Sequence, residues 1–266
     1  MINYDYAHPR TSLSITLSVW YALFLREAVT RLSAGRIAWV WLLAEPIISM
    51  GVMLFVFTVI RMRVVGGMTT ETWLLIGLVS YLMFSRTAAQ VQGALNANKA
   101  LFVYRQVKPV DTLLMRAALE GVMSVLIAIV IGIGGTFFGV ELIPEEPLTV
   151  VIVFLGLWLM GLGYGLVTSV AAGLIPKVGI VLGIVSKVLH LSSGVILPLA
   201  HIPQPYRNWL LFNPVLHGIE SARLAVSPTY VAMSGLDISY LYKCAAVAIF
   251  FGLALHRRFA NKLLAL

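Results

Sequence analysis

The sequence predicts an all-α polytopic membrane protein. Apolar residues make up 60% of its 266 positions and charged ones only 11%, with a mean hydropathy of +0.93, whereas a soluble domain carries about 25% charged residues. Six apolar runs long enough for a bilayer core of roughly 30 Å follow one another along the chain. Lys and Arg gather in alternate connecting loops, as the positive-inside rule requires of a multi-pass chain.

The first element, 12–34, is not one of the six. Leu13, Leu17, Trp20, Phe24, Ala28 and Leu32 recur at three- and four-residue spacing, while Ser14, Ser18, Arg26, Glu27, Thr30 and Arg31 fall elsewhere. That pattern predicts an amphipathic helix lying in the membrane interface on its leucine and aromatic face. Arg26 and Glu27 near its middle argue against a spanning helix, because a basic residue at the bilayer centre costs roughly 2.5–3.5 kcal/mol.

The spans follow at 37–60, 73–89, 112–138, 148–174, 178–198 and 238–255. The first carries Glu45-Pro46, and Pro46 should kink it by removing a backbone donor. Glu45 inside a span must be neutral or paired; Arg26, Arg31 and a cation of another span are the candidates. Arg116 and Glu120, four apart near the start of the third span, can pair on one face. Gly135 and Gly139, Gly161 and Gly165, and Gly179 and Gly183 have the four-residue spacing that lets helices approach closely.

The loops set the orientation. Arg10, Arg26, Arg31, Arg36, Lys99, Arg105, Lys108, Lys177, Arg257, Arg258 and Lys262 fall on one side. That side is cytoplasmic. Both termini then lie inside, and the acidic loop Glu141, Glu145, Glu146 lies outside.

Pro198 closes the apolar run of the fifth span, and Pro203, Pro205 and Pro214 then interrupt a second, shorter apolar patch, Trp209-Leu-Leu-Phe212. It is too short to span and too apolar for a solvated loop. Broken backbone at membrane depth is tolerated where protein or a water-filled cavity surrounds it. The segment 199–230 is therefore predicted to be a re-entrant hairpin on the periplasmic side.

Several chemistries are excluded. There is no P-loop, no His-Glu-x-x-His and no Gly-x-Ser-x-Gly. The five histidines have no metal-ligand spacing, and the lone Cys244 has no disulfide or metal partner. The net charge of +8 is dispersed along helix ends and gives no nucleic-acid footprint. The N-terminus has no apolar signal-peptide core. No metal, cofactor or catalytic residue is expected in this chain.

Trp41-Leu-Leu-Ala-Glu45-Pro46, Asn96-Ala-Asn98-Lys99 with Val107-Lys-Pro109, Gly194-Val-Ile-Leu-Pro198, Ile202-Pro203, Trp209 and Phe212-Asn213-Pro214 with His217, Glu220 and Arg223 stand in one order along the chain. With them the sequence resembles the membrane subunit of ABC-2 type polysaccharide exporters, most closely the capsular-polysaccharide export permeases of Gram-negative bacteria. The resemblance implies a single ABC-2 type transmembrane domain over 1–266, a homodimer, and a separate nucleotide-binding subunit that holds ATP and Mg. It further implies a lipid-linked anionic polysaccharide as substrate, a periplasmic polysaccharide co-polymerase and an outer-membrane export protein as partners, and the bacterial inner membrane as location. O-antigen and teichoic-acid permeases share the same pattern. A stand-alone flippase or secondary transporter is a weaker alternative, since only one broken element occurs and inverted repeats are absent. An intramembrane transferase would need a polar cluster drawn from several spans.

Three sets of residues acquire roles within this resemblance. The loop 94–108, with Asn98, Lys99, Leu101, Phe102, Tyr104 and Arg105, is expected to couple to the ATPase; as a bare sequence, its cations serve equally well as topology signals. Lys187 near the middle of the fifth span, His190 three residues on, Arg86 and Arg223 could form a cationic track for an anionic polymer. The competing assignment pairs Lys187 with Glu120 or Glu45. Pro198, Pro203, Trp209, Asn213, Pro214 and His217 are the expected gate residues of the outward segment.

Overall fold

In a computed structural model the described residues are 11–32, 38–59, 64–104, 106–199 and 202–264. Arg105 lies outside them, as do the loop cations Arg10, Arg36, Arg61 and Arg63. The described chain is mostly helical. Helix α1 (Ser12–Leu32) and α2 (Ala38–Val59) precede a two-stranded hairpin, β1 (Val64–Val65) and β2 (Met68–Thr69). Then come α3 (Thr70–Ala97), a 3-10 turn (Lys99–Val103), α4 (Pro109–Phe137), α5 (Pro147–Leu174) and α6 (Val178–Ser192). Helices α7 (Tyr206–Leu210), α8 (Pro214–Val226), α9 (Ile238–Arg258) and α10 (Ala260–Leu264) complete it.

Four of the described helices, α3, α4, α5 and α9, are long and apolar enough to cross a membrane. Their boundaries follow local chemistry. Thr69 accepts the backbone N–H of Thr72 to start α3, Asp237 accepts that of Ser239 to start α9, and Pro109, Pro147 and Pro214 open α4, α5 and α8. Helix α5 is the hub, packed on α3, α8 and α9. Gly161 and Gly165 lie against α3, where a Cβ would come within 2.6 Å of the Phe84 carbonyl and of Val91. The same spacing does nothing comparable at Gly179 and Gly183, which face open space.

Helix α6 departs from the sequence reading. It ends at Ser192 rather than reaching 198, because polar side chains dismantle its last turn. Ser193 donates to the Leu189 carbonyl, and Asn213 Nδ2 donates to that carbonyl and to the Ser192 and Ser193 hydroxyls at 2.9–3.3 Å. Fifteen residues rise only about 22 Å. Gly194 then turns the chain in the left-handed region (φ +69°).

Helix α1 also corrects an expectation. Leu13, Leu17, Tyr21, Leu25 and Val29, four residues apart, form its exposed stripe. The charged face points inward: Leu23 and Glu27 are buried, Trp20 Nε1 donates to Asp111 at 2.9 Å, and Arg116 Nε reaches Glu27 at 2.6 Å. Successive contacts at 20, 27 and 31 meet α4 at 111, 116 and 120, so the two helices run side by side in the same direction.

Candidate functional site: a cationic groove and the ion pairs behind it

Three of the four expected track residues meet in space. Arg86 of α3 and Lys187 and His190 of α6 line one groove of about 620 Å³, together with Tyr81, Ser85, Ser186 and Leu191. The helices are registered by Tyr81, whose hydroxyl donates to the Ser186 carbonyl at 3.4 Å and whose ring meets that of His190 edge-on at 4.4 Å. Lys187 is exposed and has no carboxylate partner among the described residues. Hydroxyls, an aromatic edge and two cations on one wall can hydrogen-bond, stack against and attract a hydroxylated anion.

Behind the groove lies a knot of ion pairs among α1, α3 and α4. Glu120 is fully buried; its Oε1 pairs with Arg31, and its Oε2 lies 3.3 Å from Arg86 Nε. Arg31 also reaches Glu27 Oε1 at 3.3 Å and Gln90 at 3.1 Å, and Arg116 closes on Glu27. Arg116 and Glu120 therefore pair across helices rather than with each other. Glu27 and Gln90 were not candidates in the sequence, and Arg31 was one only as a partner for Glu45; the signal present was Glu27 and Arg31 at helical spacing, with no indication of their partners on α3 and α4. Glu45 is exposed and takes neither Arg26 nor Arg31: Arg26 bonds Asn98.

Arg223 belongs elsewhere. It is 0% exposed, with Nη1 donating to Glu220 at 2.6 Å, Nε to the Trp73 carbonyl at 3.2 Å and Nη2 to the Val195 carbonyl at 3.4 Å. Its guanidinium carbon stands 3.9 Å from the Trp73 ring centre. Tyr230 donates to Glu220 and accepts from Trp73 Nε1. Burial, with the Glu220 carboxylate beside it, pushes the Tyr230 hydroxyl up to about 12, so it remains a donor. No face of Arg223 is left for a passing ligand.

The segment between α6 and α9 is anchored by a buried helix. Residues 215–223 of α8 are all buried among α3, α5 and α9. Asn213 is buried and Pro214 opens the helix. His217 Nε2 lies 2.8 Å from the Leu211 carbonyl and Nδ1 accepts the Asp237 N–H at 3.0 Å, which fixes the Nε2–H tautomer. Pro198 is half-buried, whereas Pro203 and Trp209 are exposed.

In the loop between α3 and α4, Asn98 is buried and caps α3 through the Ala94 carbonyl. Leu101 and Phe102 are half-buried, and Phe102 packs against the core of Val91, Ala94, Leu95 and Leu113. Lys99 is exposed. The outward apolar surface is Val103 (86% exposed) with Tyr104 (65%); Val103 was not among the expected contacts.

The ABC-2 type transporter family matches residues 18–226. The chain is 35% identical over 240 residues to the polysialic acid transport protein KpsM of Escherichia coli, covering 89% of this chain and 91% of that one. It is 27% identical over 250 residues to the capsule polysaccharide export inner-membrane protein CtrC of Neisseria meningitidis serogroup A, covering 94% of each. It is 23% identical over 214 residues to BexB, a capsule polysaccharide export inner-membrane protein of Haemophilus influenzae, covering 80% and 81%.

Proposed function

Since this chain belongs to the ABC-2 type transporter family, we propose that it is the membrane permease of an ATP-driven exporter of lipid-linked capsular polysaccharide. The observation that carries this reading is the groove in which Arg86, Lys187 and His190 meet. Isolated cations at membrane depth are costly; gathered on one wall beside hydroxyls they offer weak, repeated attraction to an acidic glycan. A wide polymer needs more than one such wall, and a homodimer with C2 symmetry supplies the second.

The chain itself hydrolyses nothing. A separate nucleotide-binding subunit holds ATP and Mg, and the loop 94–108 docks on it through Val103 and Tyr104, with Lys99 and Arg105 at the rim. Helices α2 and α6 join α3, α4, α5 and α9 to make six spans, with both termini cytoplasmic in the inner membrane. The stripe Leu13, Leu17, Tyr21, Leu25, Val29 faces inner-leaflet lipid. Helix α6 falls short of a roughly 30 Å core by about 8 Å, and the re-entrant plug 199–230 completes that crossing from the periplasmic side. There it faces the co-polymerase that leads on to the outer-membrane exporter. Arg223 serves the plug's structure and not the pathway.

The test is export by the assembled complex. Lys187→Arg should retain most export, and Lys187→Met should lower it while assembly and ATP hydrolysis persist. Loss of folded Lys187→Met protein, restored by removing Glu120 or Glu45, would assign Lys187 to a structural pair instead.

A further inference from the structure

Arg86 belongs to both assemblies described above. Its Nε faces Glu120 in the ion-pair knot, while the residue lines the groove with Lys187. Glu120 is its sole charged partner among the described residues, and the 3.3 Å contact is an ion pair without an aligned hydrogen bond. The rest of the guanidinium, with four further N–H donors, makes no hydrogen bond among the described residues. The knot holds three guanidiniums, Arg31, Arg86 and Arg116, against two carboxylates, Glu27 and Glu120. One positive charge is in excess. Arg31 and Arg86 both lean on the single buried carboxylate of Glu120, so each weakens the other's hold.

We propose that Arg86 is the residue through which the groove reports an acidic occupant to α1. An anion in the groove pairs with the free side of Arg86 and neutralises the excess charge. Glu120 is then left to Arg31, and α1 is held more tightly against α3 and α4. From α1 the effect reaches the cytoplasmic loop by two fixed contacts: Arg26 on Asn98 at its start and Trp20 on Asp111 just after its end. This rests on the groove being the site of an acidic glycan. It adds that the glycan's charge, and not its bulk, is what α1 senses.

The test is hydrogen exchange of the α1 backbone in the full permease–ATPase complex in nanodiscs. A sialic-acid oligomer is the probe and a neutral dextran oligomer of equal length the control, with binding read separately by thermal shift. In the wild type the acidic oligomer should slow exchange in residues 20–31 at least about fivefold, the low end of ordinary coupling between sites, and the neutral one should not. Arg86→Gln should slow α1 without any oligomer and abolish the response. Arg86→Lys, which keeps the charge, should retain it and guards against a glutamine variant that fails to fold. Glu120→Gln should leave α1 fast and unresponsive. An acidic oligomer that binds but leaves α1 unchanged, or an Arg86→Gln complex that still responds, overturns the relay alone. An acidic oligomer that does not bind the wild type overturns the relay together with the acidic-glycan reading.

Discussion

Replacing Arg223 by Met should unfold the plug before it alters transport. The residue is fully buried, and its loss leaves Glu220 at 3% exposure with only the Tyr230 hydroxyl for company. Removing one partner of a buried ion pair costs about 3–5 kcal/mol, because the other charge is stranded. The stacking on Trp73 adds about 0.5–2 kcal/mol. The two carbonyls that Arg223 bonds, on Trp73 and Val195, lose donors as well. Together these approach the whole stability of an ordinary domain, about 5–15 kcal/mol. Arg223→Met should therefore reduce the yield of monodisperse protein and lower its melting midpoint in detergent by several degrees or more. Adding Glu220→Gln removes the stranded charge and should recover part of the loss. Gly77→Ala probes the same clasp from the opposite wall, since its Cβ would run into the guanidinium. An Arg223→Met protein with the wild-type midpoint and impaired export would refute the argument and return Arg223 to the pathway.

Val103→Ala with Tyr104→Ala should weaken copurification of the ATPase about tenfold or more, as burial of such side chains is worth roughly 1.5–3 kcal/mol each, while leaving permease stability unchanged. Phe102→Ala should do the reverse and lower the melting midpoint; equal loss of partner binding in both variants would place the contact elsewhere. Gly161→Leu should block the approach of α5 to α3 and abolish folded protein on size-exclusion chromatography; normal elution would contradict the 2.6 Å approach to the Phe84 carbonyl. Reporter fusions after Glu146 and Lys177 should read periplasm and cytoplasm respectively, and a cytoplasmic signal at Glu146 would remove the six-span arrangement.

Much of this architecture is local and hence legible in the sequence. Apolar runs mark α3, α4, α5 and α9, because these depend on a residue's own solvent preference; Pro109, Pro147 and Pro214 also open helices, though the sequence reading took Pro214 only as a break. Arg86, Lys187 and His190 stood out because membrane-depth cations need a reason, but their meeting is a matter of how α3 and α6 pack. Partner choice was illegible for the same cause. Arg116 and Glu120 are well spaced for a pair within one helix, yet Arg116 takes Glu27 and Glu120 takes Arg31 and Arg86; Glu27 and Arg31 do pair within α1, but each also reaches across to α4. The inward face of α1 was missed because an amphipathic pattern shows two faces without saying which one meets protein. The short α6 was missed because the side chain that caps its end, Asn213, lies 21 residues beyond Ser192.

Helix α1 grips the connection between α3 and α4 at both ends, Arg26 on Asn98 and Trp20 on Asp111. These stretches are far apart in sequence but are tied together by these two contacts. A chimera that exchanges only residues 98–111 with a related permease would set a foreign loop in a bracket cut for the native one. Carrying residues 20–31 along with the loop keeps the bracket and its contents matched, so partner specificity should move between relatives as this pair of segments and not as the loop alone.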